Sequence, residues 1–514
     1  MPRIKSVTKL STLSMDQFCK ICATTCTILE DSSDIDTDTD ESLPSDNEVK
    51  FKSFLVQLPR PILEKVIPET LKIITNKIRK NRTHKGVLKA VQCLPQKCVQ
   101  KLDFGSLFGE VRLYGHVNVN LKKEIKNCFI SLPNLIELNL SSKCNDDMLI
   151  ELAKHCRSIE VLGTPISDIT DRGLLALCGI AFNNEINTKS DGCFKLVKIS
   201  VQNCDKITSR GVGCLLRNLP KLQYLYYDRL IDAVETVIKL DGDYLSGDKC
   251  LNIHHVDQFC DFYDFESHPD IIQAVAKVCP QVTSFRFFIS DEGCRSLHTF
   301  PNFKHLQLEM SENISTEFEK LTAKFNNLVT LHLTFRRMPH HALIGIGSHC
   351  PYIEVVKLIG YGITSADLLQ PNKQYFQRLR VFETRMVRTD ELLEVMEMED
   401  LNTDLEIPIT PDFLNFFLVN SLSIQDITIS AMMSFLNESF LMKLFELNPM
   451  LELQRLCISP LNKIPSLTFN LAFNVIMSLP NLHTMALSRW KMTAREIRQL
   501  RDTLKEQNFE VNIM

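Results

Sequence analysis

The stretch LPNLIELNL, residues 132–140, returns along the chain in close copies: LPKLQYLYY (219–227), FPNFKHLQL (300–308), CPYIEVVKL (350–358) and LPNLHTMAL (479–487). Each opens on an apolar residue, usually followed by Pro, and then reads L-x-x-L-x-L with leucine-like residues at the L positions. Looser copies are CRSIEVLGT (156–164), FKLVKISV (194–201), CPQVTSFRF (279–287), FNNLVTLHL (325–333) and FQRLRVFET (376–384). The first leucine-like position steps from Leu135 to Ile159, from Leu196 to Leu222, and from Val282 through Phe303, Leu328 and Ile353 to Leu379, at intervals of 21–26 residues. Irregular copies, Ile424-x-x-Ile427-x-Ile429 and Leu453-x-x-Leu456-x-Ile458, fill the gap before Leu482.

A period of this length is that of a leucine-rich repeat, with one strand and one helix per copy. Between the strands the pattern changes from period two to helical spacing. Met148, Leu149, Leu152, Ala153 and Cys156 form one apolar helical face, with Asp146 or Asp147 placed to cap it. The same face recurs as Ile272, Val275, Ala276 and Cys279, and as Ala342, Leu343, Ile346 and Cys350. Three copies share a helix-initiating turn: Ile169-Thr-Asp-Arg-Gly173, Ile207-Thr-Ser-Arg-Gly211 and Ile289-Ser-Asp-Glu-Gly293. Thr or Ser there caps the helix, and Gly lets the neighbouring repeat approach closely. Stacked copies predict an α/β solenoid with parallel strands on its concave face and helices on its convex face. The L positions of each strand then point inward and their neighbours face solvent. That rule makes Tyr224, Tyr226, Arg286, Phe288, His305, His332, Lys357, Glu383 and Arg385 candidate contacts for a protein partner on the concave face. Tyr and Arg are common interface anchors. The plain alternative is a set of side chains that any such surface must expose.

The helix-initiating turn, the helix ending in Cys, and the strand followed by Cys204 in LVKISVQNC resemble cysteine-containing leucine-rich repeats. That subtype is known from F-box and related substrate receptors of cullin-RING ubiquitin ligases. The resemblance spans roughly residues 95–514 and is specific for fold, loose for function. It implies a protein-binding adaptor that is not itself an enzyme, holding a target while partner enzymes act. The chain departs from the pattern at 228–278 and at 386–450, and insertions near 228–278 and 386–420 are expected to project as loops.

Ahead of the repeats the chain reads as a helical segment (1–28), an acidic disordered linker (29–50) and a helical cap or recruitment box (51–95), leaving 96–514 to the solenoid. Residues 30–48 hold nine acidic side chains and no Lys or Arg, the composition of a solvated linker. Residues 71–89 hold seven basic ones and no acid, which suits a solvated helix face near that linker, with nuclear import or nucleic acid as the other reading. SMDQFCKICA (14–23) resembles an elongin-C-binding box through Ser14, Met15, Cys19 and Ala23, with Met in place of the family's Leu. The four-residue spacing of Met15, Cys19 and Ala23 makes a narrow apolar stripe suited to a partner's groove. LPRPILEKV (58–66) resembles a cullin-2 box through Leu58, Pro59, Ile62 and Val66. Pro59 suits a helix start, and Ile62 and Val66 stack one turn apart. The resemblance implies elongin B/C and cullin-2 as partners. The same segment can open an F-box, which implies an F-box-type scaffold, although 68–100 shows no remainder of one. Alternatively these helices only close the end of a stand-alone repeat scaffold or inhibitor with no ubiquitin link, since terminal repeats are atypical.

Composition bounds the rest. Of 514 residues, 44% are hydrophobic and 23% charged, as in an ordinary folded soluble protein. The net charge of -4 gives no whole-chain reason to expect nucleic acid or an acidic membrane as partner. No apolar run is long enough to span a bilayer, and Asp16 and Lys20 interrupt the only stretch resembling a signal peptide. The 18 Cys are dispersed, several at equivalent repeat positions, and read as small apolar core residues in a reducing compartment, cytoplasmic or nuclear. CKICATTC (19–26) lacks a fourth ligand, and His254-His255 and His340-His341 are adjacent rather than four apart, so neither metal nor cofactor is expected. No phosphate loop, dinucleotide fingerprint or nucleophile elbow appears, and no catalytic site is expected.

Overall fold

The computed structural model describes residues 10–33, 46–81, 86–105, 115–140, 144–180, 191–241, 243–246, 249–258, 269–289, 294–300, 302–310, 314, 316–363, 374–386, 409–461, 468–487, 490, 492–506 and 511–513. The chain divides into two compact units. The N-terminal unit holds residues 8–258 with 277–281, and the C-terminal unit holds 259–276 and 282–514, grouped with residues 1–7.

The N-terminal unit begins with four helices: α1 (Leu10–Ser33), α2 (Asp46–Val56), α3 (Arg60–Asn81) and α4 (Val87–Cys93). Helix therefore occupies both ends of the 29–50 stretch expected as linker, while 34–45 lie outside the described residues. α1 packs on α3 and α4. Six short strands follow: β1 (Lys101–Asp103), β2 (Glu137–Asn139), β3 (Val161–Gly163), β4 (Lys198–Ser200), β5 (Tyr224–Tyr226) and β6 (His255–Gln258), each parallel to the next. Their register aligns Leu102, Leu138, Leu162, Ile199 and Leu225 in one buried row. Helices α5 (Gly115–Cys128), α6 (Asp146–His155), α7 (Asp171–Leu177), α8 (Ser209–Asn218), α9 (Leu230–Leu240) and α10 (Asp243–Ser246) fall between the strands. The 228–278 stretch, expected as an insertion, thus carries helix and strand in the order of the other repeats.

The helix-initiating turns have a shared geometry. Thr170 and Thr208 are the N-caps of α7 and α8, each accepting from the backbone N–H two residues on at 3.2 Å. Each cap is in turn held by the previous repeat. Asp146 on α6 accepts from Thr170 N (2.8 Å), Thr170 Oγ1 (2.7 Å) and Gly173 N (3.2 Å). Asp171 on α7 accepts from Thr208 N (2.8 Å) and Thr208 Oγ1 (2.6 Å). A methyl group at Gly173 would lie 2.7 Å from Asp146 Oδ1, and one at Gly211 would collide with Asp171, so only Gly fits beneath the carboxylate. The Cys residues that end the helices, Cys156, Cys279 and Cys350, are buried, and burial pushes the Cys156 and Cys279 thiols up to about 12.

The C-terminal unit holds the longer strands β7 (Ser284–Phe288), β8 (His305–Glu309), β9 (Thr330–Met338), β10 (Val355–Ile363), β11 (Val381–Met386), β12 (Asp426–Ala431) and β13 (Arg455–Pro460), closing with β14 (Thr484–Ala486) and β15 (Asn512–Ile513). All pair in parallel and in chain order. Phe285, Leu306, Leu331, Val356, Phe382, Ile427, Leu456 and Met485 form their continuous buried row. The intervening helices are α11 (Pro269–Val278), α12 (Cys294–Leu297), α13 (Thr316–Thr322), α14 (His340–His349), α15 (Pro411–Leu418), α16 (Glu438–Leu447), α17 (Phe469–Ser478) and α18 (Ala494–Glu506). Between β11 and β12 the core is aromatic. The Phe417 ring lies 4.6 Å from those of both Phe376 and Phe382, and Phe416 lies 4.7 Å from Tyr375. Part of the 386–420 stretch is therefore α15, a core helix, while 387–408 lie outside the described residues. Parallel strands in chain order, helices on the returns between them and a buried apolar inner row make each unit a leucine-rich-repeat solenoid.

Candidate functional site

The expected scaffold contacts lie on the N-terminal helices. Cys19 and Cys22 of α1 and Val66 of α3 form one buried cluster, and Met15, Phe18, Phe51, Ile62 and Ile73 pack around it. Ala23 is fully buried as well. The two stripes, Met15-Cys19-Ala23 and Ile62-Val66, therefore belong to one core. The first was expected to suit a partner's groove and the second to form part of a cullin-2 box, with an end cap as the alternative. The reason is the simple one that two amphipathic helices in one chain bury their apolar stripes against each other when their connection allows it. Leu58 and Met15 are half-buried, and Pro59 is exposed just before α3, its carbonyl accepting from Ile62 N at 2.9 Å. Ser14 falls in α1, but its side chain is outside the described residues.

α1 exposes Ile21 and Ile28, and the end of α2 exposes Phe54 and Val56. Ile21 and Ile28 are seven residues apart, two turns along one face of α1. Glu48, the last acid of the 30–48 run, is buried between Lys52 (2.9 Å) and Lys89 (2.8 Å). Burial alone would raise its carboxyl, but hydrogen bonds from Lys89 and Lys52 outweigh that and hold it below the usual range.

The strand face of the N-terminal unit carries a groove of about 410 Å³, walled on one side by Glu64 and Pro68 of α3. Lys101, Asp103, Asn139, Lys198 and Ser200 stand around it, and Gly163 at its middle leaves the sheet bare. Lys101 pairs with Glu137 at 2.5 Å, and Asn139 Nδ2 donates to Asp103 at 2.9 Å. At the far strands, half-buried Tyr224 and Tyr226 approach His254 (5.9 Å) and His255 (4.9 Å), and Lys198 Nζ sits 5.1 Å above the Tyr226 ring. The sequence singled out the two tyrosines and not the groove, although Lys101, Asp103, Asn139, Lys198 and Ser200 hold the same solvent-facing positions in earlier repeats.

In the C-terminal unit the register sets Arg286, Gln307, His332, Lys357 and Glu383 side by side on successive strands. They alternate with the buried row, as their position predicts. Arg286 reaches Glu309 at 3.4 Å, while Glu383 takes Lys357 at 3.1 Å and Arg385 at 3.5 Å. His305 is exposed, with Nδ1 3.0 Å from Thr330 Oγ1. His332 is less open than expected: its Nε2 is buried with no hydrogen-bond partner. Burial, reinforced by the Lys357 charge, lowers its imidazole to about 4, so the ring is neutral at physiological pH. The Phe288 side chain is outside the described residues.

Among the described residues no group of three or more His, Cys, Asp or Glu could hold a metal ion, and no helix is long and apolar enough to cross a membrane. Strand faces of this kind, on a leucine-rich-repeat protein, offer polar and aromatic side chains for protein contact.

No protein-family model and no curated protein matches the chain. Solved structures do resemble it. A chain in the crystal structure of the yeast Rad7–Elc1 complex is 14% identical, covering 88% of this chain and 94% of that one, with a TM-score of 0.37. An internalin from Listeria monocytogenes is 13% identical over 76% of this chain and 88% of its own, with a TM-score of 0.32. TLR13, in its complex with ssRNA13, is 11% identical over 83% of this chain and 62% of its own, with a TM-score of 0.29.

Proposed function

We propose that this chain is a protein-binding leucine-rich-repeat adaptor that serves as the substrate receptor of a cullin-RING ubiquitin ligase. The observation that carries its protein-binding part is the strand face of each unit. There, Tyr, Arg, Lys, Glu and His side chains stand half-exposed on a rigid parallel sheet, the placement that makes good interface anchors. In this reading a target protein lies on the strand faces and the N-terminal helices engage an elongin B/C and cullin-2 scaffold, or an F-box-type one. The chain supplies proximity, and catalysis belongs to its partners. The scaffold half is supported by the resemblance of residues 14–23 and 58–66 to recruitment boxes and by their position ahead of the repeats. Because Cys19, Ala23 and Val66 are core residues of the cap, scaffold contact falls to its exposed apolar side chains, above all Ile21 and Ile28 on one face of α1.

The same burial favours a second reading, in which the helices only seal the end of a stand-alone repeat scaffold or inhibitor. Purification of the tagged full chain from cells, with quantitative mass spectrometry of what co-purifies, separates the two. Elongin B, elongin C and a cullin at near-stoichiometric levels, lost in the Ile21→Asp, Ile28→Asp double variant, are the expected result. Their absence from the wild-type sample overturns the ligase reading and leaves the stand-alone scaffold.

A further inference from the structure

Strands β9, β10 and β11 carry four cationic side chains, Arg336, Arg337, Lys357 and Arg385, against a single acid, Glu383. Nearby charges on the same sheet are balanced: Arg286 by Glu309, Arg380 by Glu354, Arg455 by Asp426. Glu383 is already shared between Lys357 and Arg385. Arg336 and Arg337 have no acidic partner among the described residues. Burial along β9 alternates through Leu331, Leu333 and Phe335, which puts Arg336 on the open side with His332 and Thr334. β9 and β10 each run nine residues but β8 only five, its last register partner on β9 being Thr334, so Arg336 stands beyond the end of β8. The whole chain is acidic, with a net charge of -4, and this strip runs against that balance. In register Arg385 is level with Thr334, two residues before Arg336, and Lys357 is level with His332, four residues before it, so the cations are staggered across one face, where they raise the local potential for anions.

We infer that the strip Arg336–Lys357–Arg385 on the strand face of β9 to β11 docks an acidic, extended segment of a protein partner. The inference rests on reading the strand faces as protein-binding surfaces, and adds the charge of what binds. A peptide can set Asp or Glu against Arg336, Lys357 and Arg385 while placing a neutral or basic residue over Glu383. A nucleic acid has no such choice, since every residue of its backbone brings a phosphate, and Glu383, beside Lys357 and Arg385, opposes it.

The test uses the purified full chain and fluorescence anisotropy with three labelled probes of equal length, about twelve residues each, chosen because paired charges set salt-dependent affinity. The probes are a peptide alternating Glu and Ser, its Gln-for-Glu counterpart, and a single-stranded DNA oligonucleotide. The Glu peptide is expected to bind, weakening at least about tenfold from low to physiological salt, and the Gln peptide is not. Combined Arg336→Glu and Arg385→Glu should weaken Glu-peptide binding by about tenfold or more, with Arg336→Gln and Arg385→Gln giving a smaller loss in the same direction. Circular dichroism checks that both variants fold. Lys443→Glu, on the exposed surface of α16, should leave binding unchanged. The inference is overturned if the wild type ignores the Glu peptide, if Lys443→Glu weakens it as much as the strip variants do, or if the oligonucleotide binds more tightly. Acidic-peptide binding without scaffold co-purification would strike the ligase reading alone, and the converse would strike this inference alone.

Discussion

At the residue scale, the most specific device in the N-terminal unit is the carboxylate that reaches from one repeat to the next. Asp146 satisfies the cap of α7 and Asp171 the cap of α8, so each helix start is fixed by its predecessor and not only by its own Thr. The Thr-x-x-Gly turn was legible in the sequence as a cap. Its Gly was legible as a point of close approach, but the carboxylate that approaches was not, because Asp146 lies 27 residues before Gly173 and Asp171 lies 40 before Gly211. Gly173→Ala is expected to push a methyl into Asp146 and destabilise the chain by about 1–3 kcal/mol, read as a lower urea midpoint. His332 is a second such residue. Its burial lowers the folded-state imidazole to about 4, well under its ordinary value of about 6.5. Between those values the unfolded chain takes up a proton that the folded chain refuses. The stability tied to neutral His332 is thus whole above about 6.5 and is lost as pH falls toward about 4, at roughly 1.4 kcal/mol per pH unit at most. Urea denaturation across that window should show a shallower pH dependence for His332→Gln than for the wild type.

At the scale of elements, α1 and α3 show how one apolar stripe can serve two expectations. The four-residue stripe of Met15, Cys19 and Ala23 and the helix start at Pro59 were both legible: the stripe lies in α1, and Pro59 directly precedes α3. What the stripe packs against was not legible, because an apolar stripe is equally suited to a foreign groove and to a neighbouring helix. Here the neighbour is α3 of the same chain, and the cluster of Cys19, Cys22 and Val66 is the result. Ala23→Phe is therefore expected to overpack the cap and lower its stability by about 1–3 kcal/mol. Protection of amides in α1 and α3, followed by hydrogen exchange, is the measurement. Unchanged protection together with lost scaffold association would instead mean that Ala23 reaches a partner. The strands behave more simply. Their alternation fixes which side chains face out, and Tyr224, Tyr226, Arg286, His305, Lys357, Glu383 and Arg385 all do so at least in part.

At the scale of the whole molecule, repetition is what made the fold readable. A period of 21–26 residues carrying L-x-x-L-x-L can bury its apolar row only by stacking copies, so the parallel order of strands followed from the sequence alone. The same local rule placed the helix-ending cysteines inside, where Cys156, Cys279 and Cys350 are found. The degenerate stretches misled for the complementary reason. α9 and β6 within 228–278, and α15 within 386–420, keep the repeat's geometry while losing its consensus, because neighbouring repeats supply the packing that their own residues no longer advertise. Position along a periodic pattern, then, was determined by the sequence: which residues are strand, which face inward, where a helix is capped. The tertiary structure alone decided what meets what across distance in the chain. It brought Glu48 between Lys52 and Lys89, folded two candidate recruitment stripes into one core, and shared Glu383 between Lys357 and Arg385. Those pairings depend on the register and length of neighbouring elements, and no single repeat contains that information.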